Sequence, residues 1–207
     1  MNTPTSGQTL YLVSTSADDN STGPGARTIR IVYLNAAGVE LATTATLNGT
    51  TPVNLGTGFT FIQWMEVASL GANEVSSGNI TVSSTNGAAT VATTFCMVRA
   101  GGNRSLDGRY KVPTGHTAYV TYWGAAAVGL ATMDTRLRAT VFADDHTLST
   151  VYHFLDRVFL AIGSGSDMLS NYTSIPAEGV IKISAIPSLT GVGNKLDCDF
   201  HLLVVSN

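Results

Sequence analysis

RYKVPTGHTAYVTYW, residues 109–123, reads as a strand, a tight turn and a second strand. Tyr110 and Val112 alternate up to Pro113. Thr114-Gly115 makes the corner, and Ala118, Val120 and Tyr122 then alternate with Tyr119, Thr121 and Trp123. Proline presets φ for a turn position and glycine tolerates positive φ, so Pro-Thr-Gly is a turn with a mechanism.

Outward from this stretch most of the chain repeats the same grammar of short β runs cut by Gly, Asn, Asp and Pro. Towards the N-terminus, AGGNRSLDG (100–108) has no β pattern and is the best domain boundary, giving halves 1–104 and 105–207. In the first half, residues 1–8 read as a loose arm, Thr9–Ser14 as a strand and 15–25 (TSADDNSTGPG) as a loop. Arg27–Asn35 alternates, Ala36-Ala37-Gly38 turns, and Val39–Leu47 returns as the second arm of a hairpin. Phe59–Leu70, Asn79–Ser84 and Ala89–Arg99 are further β runs. In the second half, Thr135–Phe142 and Val180–Ile186 read as strands, with loops at Gly163–Asn171 and Pro187–Asn194. Between Thr147 and Ile162 apolar residues recur at three and four, a helical spacing, but the β-branched and aromatic content favours strands. Leu196–Val205 is nearly all apolar at its end and is expected to be a central strand. Strands about ten residues apart without helices between them predict an all-β fold, a β-sandwich or barrel.

Composition sets limits on function. The 207 residues suit one large β domain or two of about 100 residues. They are 44% hydrophobic, enough for a core, but only 12% charged, against about 25% in an average globular chain. Thr, Ser, Asn and Gly take the place of the missing charge. Such a surface suits a sandwich exterior, and also one covered by another subunit without stranding charges. The net charge is −3 and no Lys/Arg run exists, so no nucleic-acid partner is expected. The N-terminus lacks a basic region followed by an apolar core, so no signal peptide is read, and no apolar run approaches a membrane span. Synthesis and residence in the cytoplasm, unless the chain leaves inside an assembly, are the expectation. Cys96 and Cys198 both lie in apolar β runs. Two buried thiols are the favoured reading without a secretory signal, and a disulfide between the halves is the minority one.

No constellation in the sequence carries chemistry, so no enzyme, cofactor or metal is expected. Asp144-Asp145-His146, with His153 and Asp156 nearby, lacks the three or four rigidly held ligands of a zinc site, and solvated loop charges are the better reading. Asp18-Asp19-Asn20 lacks the spaced calcium-loop pattern. His116 follows a turn and has no nucleophile motif around it. Trp64, Trp123, Tyr119, Tyr122, Tyr152 and Tyr172 are candidates for a sugar platform, though in a sandwich such residues more often fill the core or a subunit seam; Tyr172 in SNYTS is the most plausible exposed one. The N-x-[ST] triplets at Asn20, Asn48, Asn79, Asn103 and Asn171 are incidental in a Thr/Ser-rich chain with no secretory signal.

The stretches TGPGARTIRIVYLNAAGVELATTATLNGTTPV and FIQWMEVASLGANEVSSGNITV resemble a module of structural proteins from tailed bacteriophages, notably marine and cyanobacterial ones. RYKVPTGHTAYVTYW, TRLRATVF and IPAEGVIKISA with the terminal apolar strand resemble the same proteins, in a pattern similar to a viral jelly roll. The resemblance implies two stacked β halves and a virion component. Capsid decoration or cement comes first, and a tail, neck or fibre component, with a possible glycan- or receptor-binding role, second. The implied partners are the major capsid protein or other virion proteins and further copies of the chain, as a homo-oligomer, expected to be a trimer. The N-terminal arm and the 15–25 loop are the expected capsid-facing elements, unstructured alone and ordering on binding. Asp18, Asp19, Asn20 and Tyr172 are the candidate contact residues.

Overall fold

The computed structural model describes residues 3–90, 92–105, 108–128, 133–139, 153–160, 163–167, 174–187 and 195–207. The chain divides into two compact units, Met1–Asp107 and Gly108–Asn207. Every paired strand is antiparallel, and no helix occurs among the described residues, so the fold is all-β.

The first unit holds β1 (Leu10–Ser14), β2 (Ala26–Leu34), β3 (Glu40–Thr46), β4 (Val53–Gly56), β5 (Phe61–Leu70), β6 (Ile80–Ser83) and β7 (Thr94–Val98). They form two sheets, in the orders β4-β1-β6-β7 and β3-β2-β5. Strand alternation sends one face of each sheet into a common apolar cluster. Leu10, Leu12, Ile80, Val82 and Val98 enter it from the first sheet, and Ile29, Ile31, Ile62 and Met65 from the second. Each such side chain contributes about 1.5–3 kcal/mol on burial. The β2–β3 hairpin forms where the alternating runs and the Ala-Ala-Gly turn place it. Gly38 takes a positive φ of 71°, and the Asn35 side chain accepts hydrogen bonds from the Ala37 and Val39 amides. Cys96 keeps its thiol, fully buried in this core. Ser105, which the sequence assigns to the second half, is stitched to β5: its amide donates to the Met65 carbonyl, and its hydroxyl accepts from the Met65 amide at 2.9 Å.

The second unit holds β8 (Arg109–Lys111), β9 (His116–Val128), β10 (Met133–Ala139), β11 (His153–Leu160), β12 (Gly163–Asp167), β13 (Ser174–Ile175), β14 (Val180–Pro187) and β15 (Lys195–Ser206). One sheet runs β11-β10-β14-β8; in the other, β9 pairs with β15 along one side and with β12 and β13 along the other. The Pro-Thr-Gly corner is a turn, with Gly115 at φ 74° and the His116 amide donating to the Pro113 carbonyl. It does not close a hairpin: β8 pairs with β14 and β9 with β15, so the corner carries the chain from one sheet to the other. Both sheets feed one core of Val112, Ala118, Val120, Trp123, Leu137, Ala139, Ile175 and Ile181.

One open reading is met and two expectations change here. Residues 153–160 are a strand, as the β-branched and aromatic content favoured, while the rest of 147–162 lies outside the described residues. Gly163–Asp167, expected as a loop, pairs with Trp123–Ala127; Gly and Ser carry no strand signal of their own, and small residues on the facing strand supply the match. The terminal strand is not buried on both faces. Among the described residues β15 pairs only with β9, and Leu203 and Val205 are 55% and 43% exposed while Leu202 and Val204 pack on the core. An apolar run whose two faces have different fates looks in sequence like a central strand.

Candidate functional site

The 15–25 loop is not a loose segment. Asp19 is fully buried, and its carboxylate accepts four hydrogen bonds: from the Ser14 hydroxyl at 2.5 Å and from the amides of Ala26, Ser77 and Gly78 at 2.8, 2.9 and 2.8 Å. Charge-assisted bonds of this kind are roughly twice as strong as neutral ones. A Cβ on Gly25 would stand 2.2 Å from the Asp19 Oδ1, so only glycine lets the backbone come this close. Asn20 is turned inward on its own loop, donating to the Ala17 carbonyl and accepting from the Thr22 amide. Asp19 therefore fastens the loop instead of meeting a partner, which corrects both its expected contact role and the expectation of a loop unstructured alone. Asp18, Ser21 and Thr22 remain exposed on a rigid rim. In the arm, residues 5–8 close a turn, Thr5 and Gln8 exchanging hydrogen bonds.

The aromatic candidates are dispersed. Trp123 is 1% exposed in the second core. Trp64 lies under the guanidinium groups of Arg30 and Arg104, 5.1 and 4.7 Å from its ring centre, with Arg30 also paired to Glu66 at 3.0 Å. Such cation–π contacts hold the ring in place instead of offering it to a sugar. Tyr119 and Tyr122 are half-buried, the latter tilted against His201 at 5.0 Å. Tyr152 and Tyr172, like Asp144, Asp145 and His146, lie outside the described residues.

A cleft that the sequence did not reveal opens on the first unit, about 430 Å³ in volume. Val13, Thr81 and Met97 come from neighbouring strands β1, β6 and β7, and Ala88, Ala89 and Thr90 from the segment before β7. Its lining carries no ionisable side chain, so it offers apolar contact and hydroxyl or amide hydrogen bonds, and no charged group to a ligand.

In the second unit the Pro-Thr-Gly corner is clamped by Glu178. This residue adopts a positive φ of 67°, and its carboxylate takes the Thr114 hydroxyl at 2.7 Å and the Lys111 ammonium at 2.5 Å. Strained backbone of this sort persists only where its surroundings hold it. Beside it, burial and then the Arg138 guanidinium hold the Lys182 ammonium below its usual value. His116, free of any nucleophile neighbour in sequence, turns its Nδ1 to the Thr114 carbonyl at 3.0 Å. Among the described residues no group of three His, Cys, Asp or Glu side chains is placed to hold a metal ion. No helix among them is long and apolar enough to cross a membrane.

Fold and site together define an all-β protein of two units, each built from antiparallel sheets. No protein-family model matches the chain, and no curated protein matches it.

Proposed function

We propose that the chain is a non-enzymatic structural protein of a virion, a capsid decoration or cement protein that stabilises the head shell of a tailed bacteriophage. The sequence resemblance brings this reading. The observation that carries it is the fastened 15–25 loop, which presents Asp18, Ser21 and Thr22 without an ordering cost on contact. A cement protein acts by burying area across neighbouring shell subunits, which favours the assembled state by mass action. Rigid β units with little charge to desolvate suit that task. The partners in this reading are the major capsid protein and further copies of the chain. A tail, neck or fibre component with a receptor-binding role is the second reading, and the neutral cleft of the first unit favours it.

A cryo-electron reconstruction of the particle carrying the protein, with quantitative band intensities beside it, separates the two. Density repeated over the shell and bridging capsid subunits is the expected result. Density at one vertex or along the tail, in few copies, overturns decoration and moves attention to the cleft.

A further inference from the structure

The chain contains two Asn-Gly pairs, Asn48-Gly49 and Asn86-Gly87. An asparagine followed by glycine carries its own reaction. The backbone nitrogen of the glycine can attack the side-chain amide carbon, and with no Cβ in the way the approach is open. Whether the attack happens depends on that nitrogen. An amide held in a hydrogen bond, on a backbone fixed at both sides, must first be released by local opening.

The two pairs differ in this respect. At the first, the Gly49 amide donates to the Asp19 carbonyl at 2.7 Å, and the Gly49 carbonyl accepts from the Ser14 amide at 3.1 Å. The Asn48 carbonyl accepts from the Thr51 amide, and Asn48 bridges to Asn20. Gly49 is buried at a φ of 60°, and a Cβ there would stand 3.1 Å from the Ala17 Cα, so the fold itself requires glycine. At the second, the connection from β6 to β7 is anchored at Ser84, whose amide donates to the Thr93 carbonyl, and at Thr90, which exchanges hydrogen bonds with Thr93. Among the described residues no hydrogen bond holds residues 86–89 in between. Asn86 is exposed. Gly87 has no positive φ, and a Cβ there would meet nothing nearer than the Thr85 Cγ2 at 4.0 Å, so neither backbone nor space demands a glycine.

We propose that Asn86-Gly87 is a self-modification site. The Gly87 nitrogen, losing its proton, bonds to the Asn86 Cγ. The Cγ–Nδ2 bond breaks, and that nitrogen leaves with the proton as ammonia. A five-membered succinimide remains, and one water opens it at either carbonyl to give aspartate or isoaspartate at position 86. The reaction needs no enzyme, metal or oxidant. It replaces a neutral amide by a carboxylate and adds one negative charge to a chain of net charge −3. The new charge arrives two residues from Ala88, at the wall of a cleft whose lining carries no ionisable side chain. The modification does not rest on the virion reading and stands if the particle experiment overturns that reading.

Ageing the intact chain in warm, mildly alkaline buffer and mapping its peptides by mass spectrometry tests this. Each event adds about 1 Da and one negative charge, and it quickens with pH because the attacking amide must lose its proton. In the folded chain Asn86 is expected to convert roughly tenfold or more faster than Asn48. In denaturant the Gly49 amide is released, and the two convert at similar rates. Gly87→Ala, which the loop has room for, slows conversion of Asn86 roughly tenfold or more in the folded chain. A folded chain in which Asn86 stays intact, or converts no faster than Asn48, overturns the proposal. So does a Gly87→Ala chain that converts as fast as wild type, and a denatured chain in which Asn48 stays slower by the same margin.

Discussion

Asp19 in the first unit and β9 in the second are both places where distant parts of the chain meet, but they join them by different physics. Asp19 gathers Ser14, Ala26, Ser77 and Gly78 around one carboxylate through four directed bonds. Strand β9 gathers β12, β13 and β15 through ladder hydrogen bonds and through Trp123, Val120 and Ala118 in the core. The first device is local in space, and removing one atom pair undoes it. The second is distributed, and only a large loss of packing undoes it. The chain has two tryptophans, Trp64 in the first unit and Trp123 in the second, so each device has its own fluorescent reporter.

The largest expected effect is Trp123→Ala, which empties the centre of the second core and costs about 3–5 kcal/mol in denaturant unfolding. Fluorescence then comes from Trp64 alone, and its transition should stay where it was; a transition that moves with the second unit breaks the contrast. Asp19→Ala comes next, at roughly 3 kcal/mol, because it strands buried amides that have no other acceptor. Followed in a Trp123→Phe background it lowers the Trp64 midpoint, and a midpoint unchanged within error would show that the carboxylate is dispensable. Gly25→Ala sharpens the same point from the backbone side. Its methyl group collides with Asp19 Oδ1, and a loss of about 1–3 kcal/mol is expected without any donor having been removed.

The smallest effect concerns Lys182, whose folded pKa lies below the ordinary 10.5. The folded state gives up its proton before the unfolded state does. The penalty on the charged form is therefore complete at neutral pH and fades as pH rises through the folded value towards 10.5. Lys182→Met should stabilise the second unit slightly at pH 7 and have no effect above pH 10.5. Thermal melts across that range check the sign, and a variant less stable than wild type at neutral pH refutes it.

The alternation of Ile29 and Ile31, the turn at Gly38 and the corner at Pro113–Gly115 were legible in the sequence because strand and turn chemistry is local. The Asp19 knot was not. Asp19 sits in a cluster of Asp, Asn and Ser that reads as a solvated loop, and two of its partners lie 58 and 59 residues away. Strand β12 was missed for the opposite reason: GSGSD has no side-chain pattern, and its pairing is set by the small residues of β9. The resemblance to phage structural proteins concerned strands and turns, and the cleft could not be read from it.

The pairing of β9 with β15 also has a consequence for synthesis. Thr117 binds the Asn207 side chain across 90 residues of sequence, and His116 pairs with Ser206. Contacts of such separation form late, since a long loop must close before they are rewarded. Among the described residues the strands of the first unit end at Val98, so they leave the ribosome and can fold while the second unit is still being made. Strand β9 leaves the exit tunnel long before β15 exists, exposing the hydrogen-bonding edge that β15 will pair with. The interval between the two is when this chain is most open to aggregation or to pairing β9 with the wrong strand, and slowing elongation after Val128 should lengthen it.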